Sequence, residues 1–290
     1  MLTQQLANGL VLGSIYALCA LGFTLIFGAA RVVNFAYGEL LMMGSFFTLT
    51  VMTYSGLPFF VALPIGMAGV ALLSVVMFIL AIRPLMRGAF TSLHGELQVI
   101  LVTLGLLYIL REAAILIWGT TPRQMDMGVS GVVLLGDVVM TNQRLVVIGI
   151  MVALVLGLYW LLYWTKIGKA LRAIAQNREG ALAIGLNTDR IIAFVFAVSG
   201  AMACAAGSLL GTLYAVEPSM GGAPLLKAFV IVIFGGLGSV LGAIVGGLVI
   251  GLMENLSGAY ISFAFKDVFT FILLIAVLLL RPSGLFGRTS

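Results

Sequence analysis

Long apolar stretches, each followed by a short polar or glycine-rich break, run through the whole chain. Residues 6–27 form the first. After a polar patch at 31–39 a shorter run reaches residue 54, and further runs cover 59–82, 97–118, 145–164 and 191–214. These approach the about 20 residues that a helix needs to cross a hydrocarbon core. Residues 225–256 are too long and too rich in glycine for one simple span, and the last run is 268–280. Strictly alternating ten-residue blocks, the mark of a membrane barrel, are absent. The runs are therefore read as helices, whose backbone groups satisfy one another within lipid. The pattern predicts an all-α, polytopic transmembrane bundle of about eight to nine segments, some broken at Gly-rich turns. A single membrane domain over 1–290 accounts for the chain.

Composition agrees with this pattern and adds orientation. The chain is 62% hydrophobic and 9% charged, whereas soluble domains carry about a quarter charged residues. Its pI near 9.4 needs no nucleic acid, because excess Lys and Arg belong in short cytoplasmic loops. Residues 165–190, TKIGKALRAIAQNREGALAIGLNTDR, hold five of the 15 Lys and Arg and read as a basic, amphipathic, helical cytoplasmic loop. Counting back two crossings puts Arg83, Arg87 and His94 inside as well. The 119–144 connection then lies outside, where Asp126 and Asp137 balance Arg123 and Arg144, and the N-terminus is also outside. Arg281 and Arg288 fall inside only if 225–256 is two elements broken at the GGLGS turn, 235–239. No basic residue precedes the first apolar run, so the start does not read as a cleaved signal peptide.

Small residues recur at helical spacing. Gly238, Gly242 and Gly246 are four apart, as are Gly247 and Gly251, and Ser199, Ala203, Gly207 and Gly211 make a similar stripe. Such ladders let helix backbones approach closely, either within one bundle or against a second subunit. Each half of the chain also sets a Gly-broken element beside a polar patch, as in an inverted repeat.

Polar residues inside apolar runs are the candidates for function. Arg111 and Glu112 lie about seven residues from the outer end of 97–118. A charge at the bilayer centre costs about 2.5–3.5 kcal/mol on insertion scales, so these residues form an interhelix pair or line a path. Asn34, Tyr37 and Glu39 sit in a patch that either borders a water-filled cavity or makes a cytoplasmic turn. Lys227, Glu254 and Asn255 flank the second broken region. Cys19 and Cys204 read as free, buried thiols. There is no HExxH, P-loop or acidic diphosphate-binding cluster, and the single histidine, His94, has no ligand partner in its loop. No catalytic residue, metal site or bound cofactor is expected of this chain.

The opening NGLVLGSIYALCALGFTLIFG, the patch VNFAYGELLMMGSF, the loop IGKALRAIAQNREGALAIGLNTDR, the stretch AFVIVIFGGLGSVLGAIVGGLVIGL and the ending LLLRPSGLFGR resemble the LivH-type permeases of branched-chain amino acid ABC importers. The resemblance runs in order over nearly the whole chain. It implies a multi-pass permease of a bacterial inner membrane, moving branched-chain or other hydrophobic amino acids. Related permeases serve urea and short amides. The implied partners are a second, non-identical permease, two cytoplasmic ATPases and a periplasmic binding protein, with ATP and Mg held by the ATPases.

The resemblance also implies a cytoplasmic coupling helix of pattern E-A-A-x-x-x-G. Residues 179–185 match it except at Gly180, and the I-x-L-P that usually follows is missing. Ala181, Leu182 and Ile184 would give that helix an apolar docking surface, Arg172 and Arg178 would contribute at its rim, and Gly185 would end it by taking positive φ. Two other classes stay open. An ion-coupled carrier could place its proton on Glu39, Glu112 or Glu254, and an intramembrane lipid enzyme would need nucleophile or metal motifs that are missing.

Overall fold

A computed structural model describes residues 2–88, 93–135, 138–262, 265–281 and 284–287; the side chains of Arg87 and His94, and residues Asp137 and Arg288, lie outside that description. The chain is an all-α bundle. Its helices are α1 (Leu2–Ala30), α2 (Tyr37–Ser55), α3 (Phe59–Met77), α4 (Arg83–Gly88), α5 (Leu93–Trp118), α6 (Asn142–Trp164), α7 (Lys166–Gln176), α8 (Arg178–Ala183), α9 (Thr188–Leu213), α10 (Gly222–Gly235), α11 (Val240–Tyr260) and α12 (Lys266–Leu280). A π turn, Phe78–Ile82, joins α3 to α4. Among the described residues, six helices are long and apolar enough to cross a membrane: α1, the α3–α4 run, α5, α6, α9 and α11. The remaining members of the bundle are α2, which is more polar, and α10 and α12, at 14 and 15 residues.

Residues 119–144 are more ordered than the pattern of a polar connection suggests. They carry an antiparallel hairpin, β1 (Val132–Leu135) and β2 (Val138–Thr141), with Val132 opposite Thr141. Gln4, in the first turn of α1, exchanges hydrogen bonds with the Val139 backbone at 2.9 and 2.8 Å.

The core forms around α1, nearly all of whose middle is buried. It packs antiparallel on α11 and beside α9, and α2 and α3 cover the other side of α9. Glycine allows this proximity. A Cβ added at Gly251 would meet the Gly13 backbone, and one at Gly247 would meet Ala17. Between the parallel α2 and α9, a Cβ at Gly207 would meet the Leu41 carbonyl, and Gly211 lies against Val216 and Ser45. Gly242 faces Gly235 of α10, and Gly246 faces Ile231 and Phe234. Gly238 does not belong to a helix ladder. It sits in the 236–239 turn at φ 82°, where its open position faces Gly28.

Two interruptions meet within the membrane. After Arg31, which takes φ 52°, residues 31–36 run back into the bundle, and Tyr37 packs edge-on against Phe23, roughly two turns before the end of α1. Residues 214–221 likewise lead from the end of α9 to the start of α10. A Cβ at Gly38 would lie 2.7 Å from the Gly221 carbonyl, and one at Gly221 would meet the Gly38 carbonyl. The pairs α1–α2 and α9–α10 thus enter from opposite faces, turn back, and touch at their breaks.

The third break separates α10 from α11 at 236–239, where the Ser239 hydroxyl caps the Gly242 N–H at 3.0 Å. Leu285 and Phe286 donate to the Phe234 and Gly235 carbonyls at 2.9 and 3.0 Å, satisfying orphan groups at the end of α10. Arg31, Arg172, Gly238 and Phe286 line one groove of about 850 Å³. Residues 284–287 therefore share a face with the basic loop, and the start of α1 and the hairpin occupy the other face.

Gly251→Leu and Gly207→Val should each destabilise the fold by about 1–3 kcal/mol, because the added atoms collide with backbone. Gly149→Ala on α6, where a Cβ meets nothing within 4 Å, should be neutral or stabilising by up to about 1 kcal/mol. Thermal unfolding followed by size-exclusion chromatography in detergent separates the two cases.

Candidate functional site

The basic loop folds into two helices, each set by its caps. The Thr165 hydroxyl accepts from Gly168 N–H at 3.1 Å to open α7. Asn177 opens α8 by accepting from Gly180 N–H at 2.9 Å, which meets one orphan amide of a helix start. At the other end Leu186 N–H bonds to the Ala181 carbonyl at 3.1 Å, and Gly185 N–H bonds to Leu182 at 2.9 Å. This Schellman closure needs a residue at positive φ, and Gly185 sits at 83°.

Only part of the apolar surface assigned to α8 from the sequence is on show. Leu182 is 51% and Ile184 75% exposed, but Ala181 is buried at 3%. Ala181 therefore docks α8 onto the bundle instead of presenting it, because a helix of this length rests on one face. Arg172 also turns inward. It donates to the Leu162 carbonyl and lies 5.1 Å from the Tyr163 ring centroid, and so closes the end of α6. Glu179 is exposed and Arg178 half-buried.

Behind α8 a groove of about 920 Å³ is bordered by Arg31, Met86, Ile174, Leu182 and Leu186. Arg83 of α4 bonds Asp189, in the first turn of α9, at 2.9 Å. That carboxylate also complements the positive end of the α9 dipole.

Within the bundle, Asn34, Tyr37 and Glu39 are 1%, 0% and 4% exposed. Asn34 Oδ1 accepts from Ala36 N–H at 3.1 Å, yet Asn34 Nδ2, Tyr37 Oη and Glu39 Oε2 have no hydrogen-bond partner among the described residues. Arg111, half-buried on α5, acts electrostatically on Glu39. The Trp118 indole fixes the register of α5 on α2, donating to Thr50 at 2.7 Å and stacking on Phe46 at 5.0 Å. Glu112 points away from Arg111 and is exposed.

The structure does not bring Glu254 and Asn255 to this group. Glu254, 2% exposed, accepts from Lys227 at 2.6 and 2.7 Å and lies 3.4 Å from Lys266. Lys227 also reaches Asp267 at 3.2 Å and the Tyr16 hydroxyl at 2.7 Å. The result is a balanced network from α1, α10, α11 and α12. Asn255 clamps α11 to α1 by donating to Gln5 at 2.6 and 2.8 Å. Tyr16, Lys266 and Asp267 were not singled out from the sequence; the signal available was Lys227, a lone cation in the apolar run of α10 that requires a counter-charge.

Residues 5–278 match the family described as branched-chain amino acid transport system / permease component. The chain is 34% identical over 300 residues to the high-affinity branched-chain amino acid transport system permease protein LivH of Salmonella typhimurium, covering 98% of this chain and 95% of that protein. It is 31% identical over 293 residues to the corresponding protein BraD of Pseudomonas aeruginosa, with the same coverage. A solved structure of PsaBC from Streptococcus pneumoniae in complex with Fab shares the fold, with a TM-score of 0.51 and 11% identity over 98% of this chain and 93% of that one. The chain belongs to the branched-chain amino acid transport permease family.

Breaking one side of the buried network should be costly. Glu254→Gln or Lys227→Met alone should destabilise the protein by about 3–5 kcal/mol, and the double variant should recover much of that loss. Thermal melts of the three purified variants measure this.

Proposed function

We propose that the chain is one of two unlike membrane subunits of an ATP-driven importer in a bacterial inner membrane. It would work with two cytoplasmic ATPases and a periplasmic binding protein, and move branched-chain or similar hydrophobic amino acids. Family membership supports the permease role, and the names of the relatives support the substrate class. The observation that carries the mechanism is the exposed apolar strip Leu182–Ala183–Ile184 on a short helix capped at both ends. Such a surface in water is spent on a partner. ATP and Mg would be bound by the ATPases, and this chain would convert their closure into helix movement.

In this reading the basic-loop face is cytoplasmic, and the N-terminus and the hairpin are periplasmic. The translocation path would run along α2, where Asn34, Tyr37 and Glu39 keep polar atoms without partners among the described residues and Arg111 of α5 acts on Glu39. A cation and an acid close together suit a zwitterion, and apolar walls suit its side chain.

Ile184→Asp and Leu182→Asp should abolish ATP-dependent leucine uptake while leaving the amount of folded chain unchanged, since both side chains are exposed. Ala181→Asp should lower folded protein as well. Normal uptake by a well-expressed Ile184→Asp variant would remove α8 as the coupling element. Uptake by the chain alone in vesicles carrying only a proton gradient would favour an ion-coupled carrier.

A further inference from the structure

The outer face of α5 carries a charge at membrane depth. α5 packs chiefly on α2 and on the π turn–α4 segment, and it is the least buried of the membrane-length helices. Leu101, Tyr108, Ile109 and Leu116 are exposed along it. On the same stripe stands Glu112, exposed and without a hydrogen bond or ion pair among the described residues.

Lipid explains the leucines and does not explain Glu112. The exposed face of α6, with Val152, Leu156, Tyr159 and Trp160, shows what a purely lipid-facing surface of this chain looks like: it carries no charge. Glu112 lies six residues, about 9 Å, below the Trp118 end of α5. A glutamate side chain is too short to reach the interface from there, and an ionised carboxylate in hydrocarbon is strongly disfavoured.

We infer that this α5 stripe is the seam against the second permease subunit, and that Glu112 is held there by a basic or hydrogen-bond-donating side chain of that subunit at the same depth. A second copy of this chain fits poorly. Two-fold pairing through α5 sets Glu112 beside its own copy, and the described side chains of the exposed stripe offer no cation to separate them. The neighbouring Arg111 is half-buried and acts electrostatically on Glu39. The partner therefore differs from this chain, and the inference rests on the importer reading above.

The test uses the whole complex in native membranes. A photo-reactive benzoylphenylalanine replaces Tyr108 on the stripe or, as control, Trp160 on α6; both positions are exposed aromatics. Tyr108→benzoylphenylalanine should form an adduct with a second, different permease, and the Trp160 position should form only lipid adducts. Lipid adducts alone at position 108, while the second permease still co-purifies, overturn the seam and leave the importer reading intact. An adduct with another copy of this chain overturns the unlike partner. Failure of any second permease to co-purify removes the importer reading itself.

In parallel, Glu112→Leu should lower recovery of the second permease about tenfold without lowering the amount of this chain, and Glu112→Gln should retain most of it. Unchanged recovery with Glu112→Leu overturns the role given to the carboxylate.

Discussion

Backbone polar groups in a bilayer core have no water to turn to, so a helix that stops there must have its ends satisfied by protein. The architecture of this chain depends on how it meets that demand at three breaks. At the first, Asn34 supplies both its side-chain and backbone oxygens to the amides of Ala36 and Tyr37. At the second, the chain past α9 turns in against the start of α2, and the absence of side chains at Gly38 and Gly221 lets the two backbones touch. At the third, the amides of Leu285 and Phe286 close the end of α10. Each solution fixes the position of a half-length helix, and the tight seam between α1 and α11 then gives those halves a rigid wall.

Charge inside the bundle is treated in two ways. The Lys227–Glu254–Lys266–Asp267 network is balanced and multiply bonded, which suits a fixed joint among α1, α10, α11 and α12. The group around Glu39 is different. Among the described residues, three buried polar atoms of the 34–39 stretch lack partners, and a cation acting on Glu39 comes from α5, the least buried of the membrane-length helices. Unsatisfied buried groups are costly, so they persist where a second arrangement, a solute or water supplies the missing bonds. That contrast separates the part of the membrane region built to hold from the part built to change.

Much of the fold was legible because lipid imposes length and apolarity on every span. The break between α10 and α11 falls at the GGLGS turn, and 284–287 share a face with the basic loop, the condition under which the charge count put Arg281 and Arg288 inside. What the sequence could not disclose is which apolar face meets protein and which meets lipid, since both select the same residues. Ala181 and Leu182 look equally apolar, yet one anchors α8 and the other is offered outward. Arg172 looked like a rim residue because its nearest acceptor, the Leu162 carbonyl, belongs to a helix end that no pattern marks. Glu254 read as a path or proton-carrying residue because its ion pair with Lys227 joins two helices, and Gly238 looked like part of a ladder because turns and helices space glycines alike. The hairpin escaped notice since its strands are only four residues each.

The connection between α8 and the membrane is short, and this decides how a force on the loop would travel. The Schellman closure ends at Leu186, and Asn187 already caps α9 by accepting from Arg190 N–H at 3.1 Å. No flexible linker intervenes, so a displacement of α8 acts directly on the 26-residue α9. That helix is buried against α1, α2 and α3 at once. Toward α2 it is joined by the Gly207–Leu41 approach and by the Thr48–Ser208 hydrogen bond of 2.8 Å; toward α1, Ser199 donates to the Gly22 carbonyl at 2.7 Å. Arg83–Asp189 links the same end of α9 to α4, and through it to α5. A load received at Leu182 and Ile184 would therefore reach α2 and α5 together, the two helices that flank the incompletely bonded Glu39.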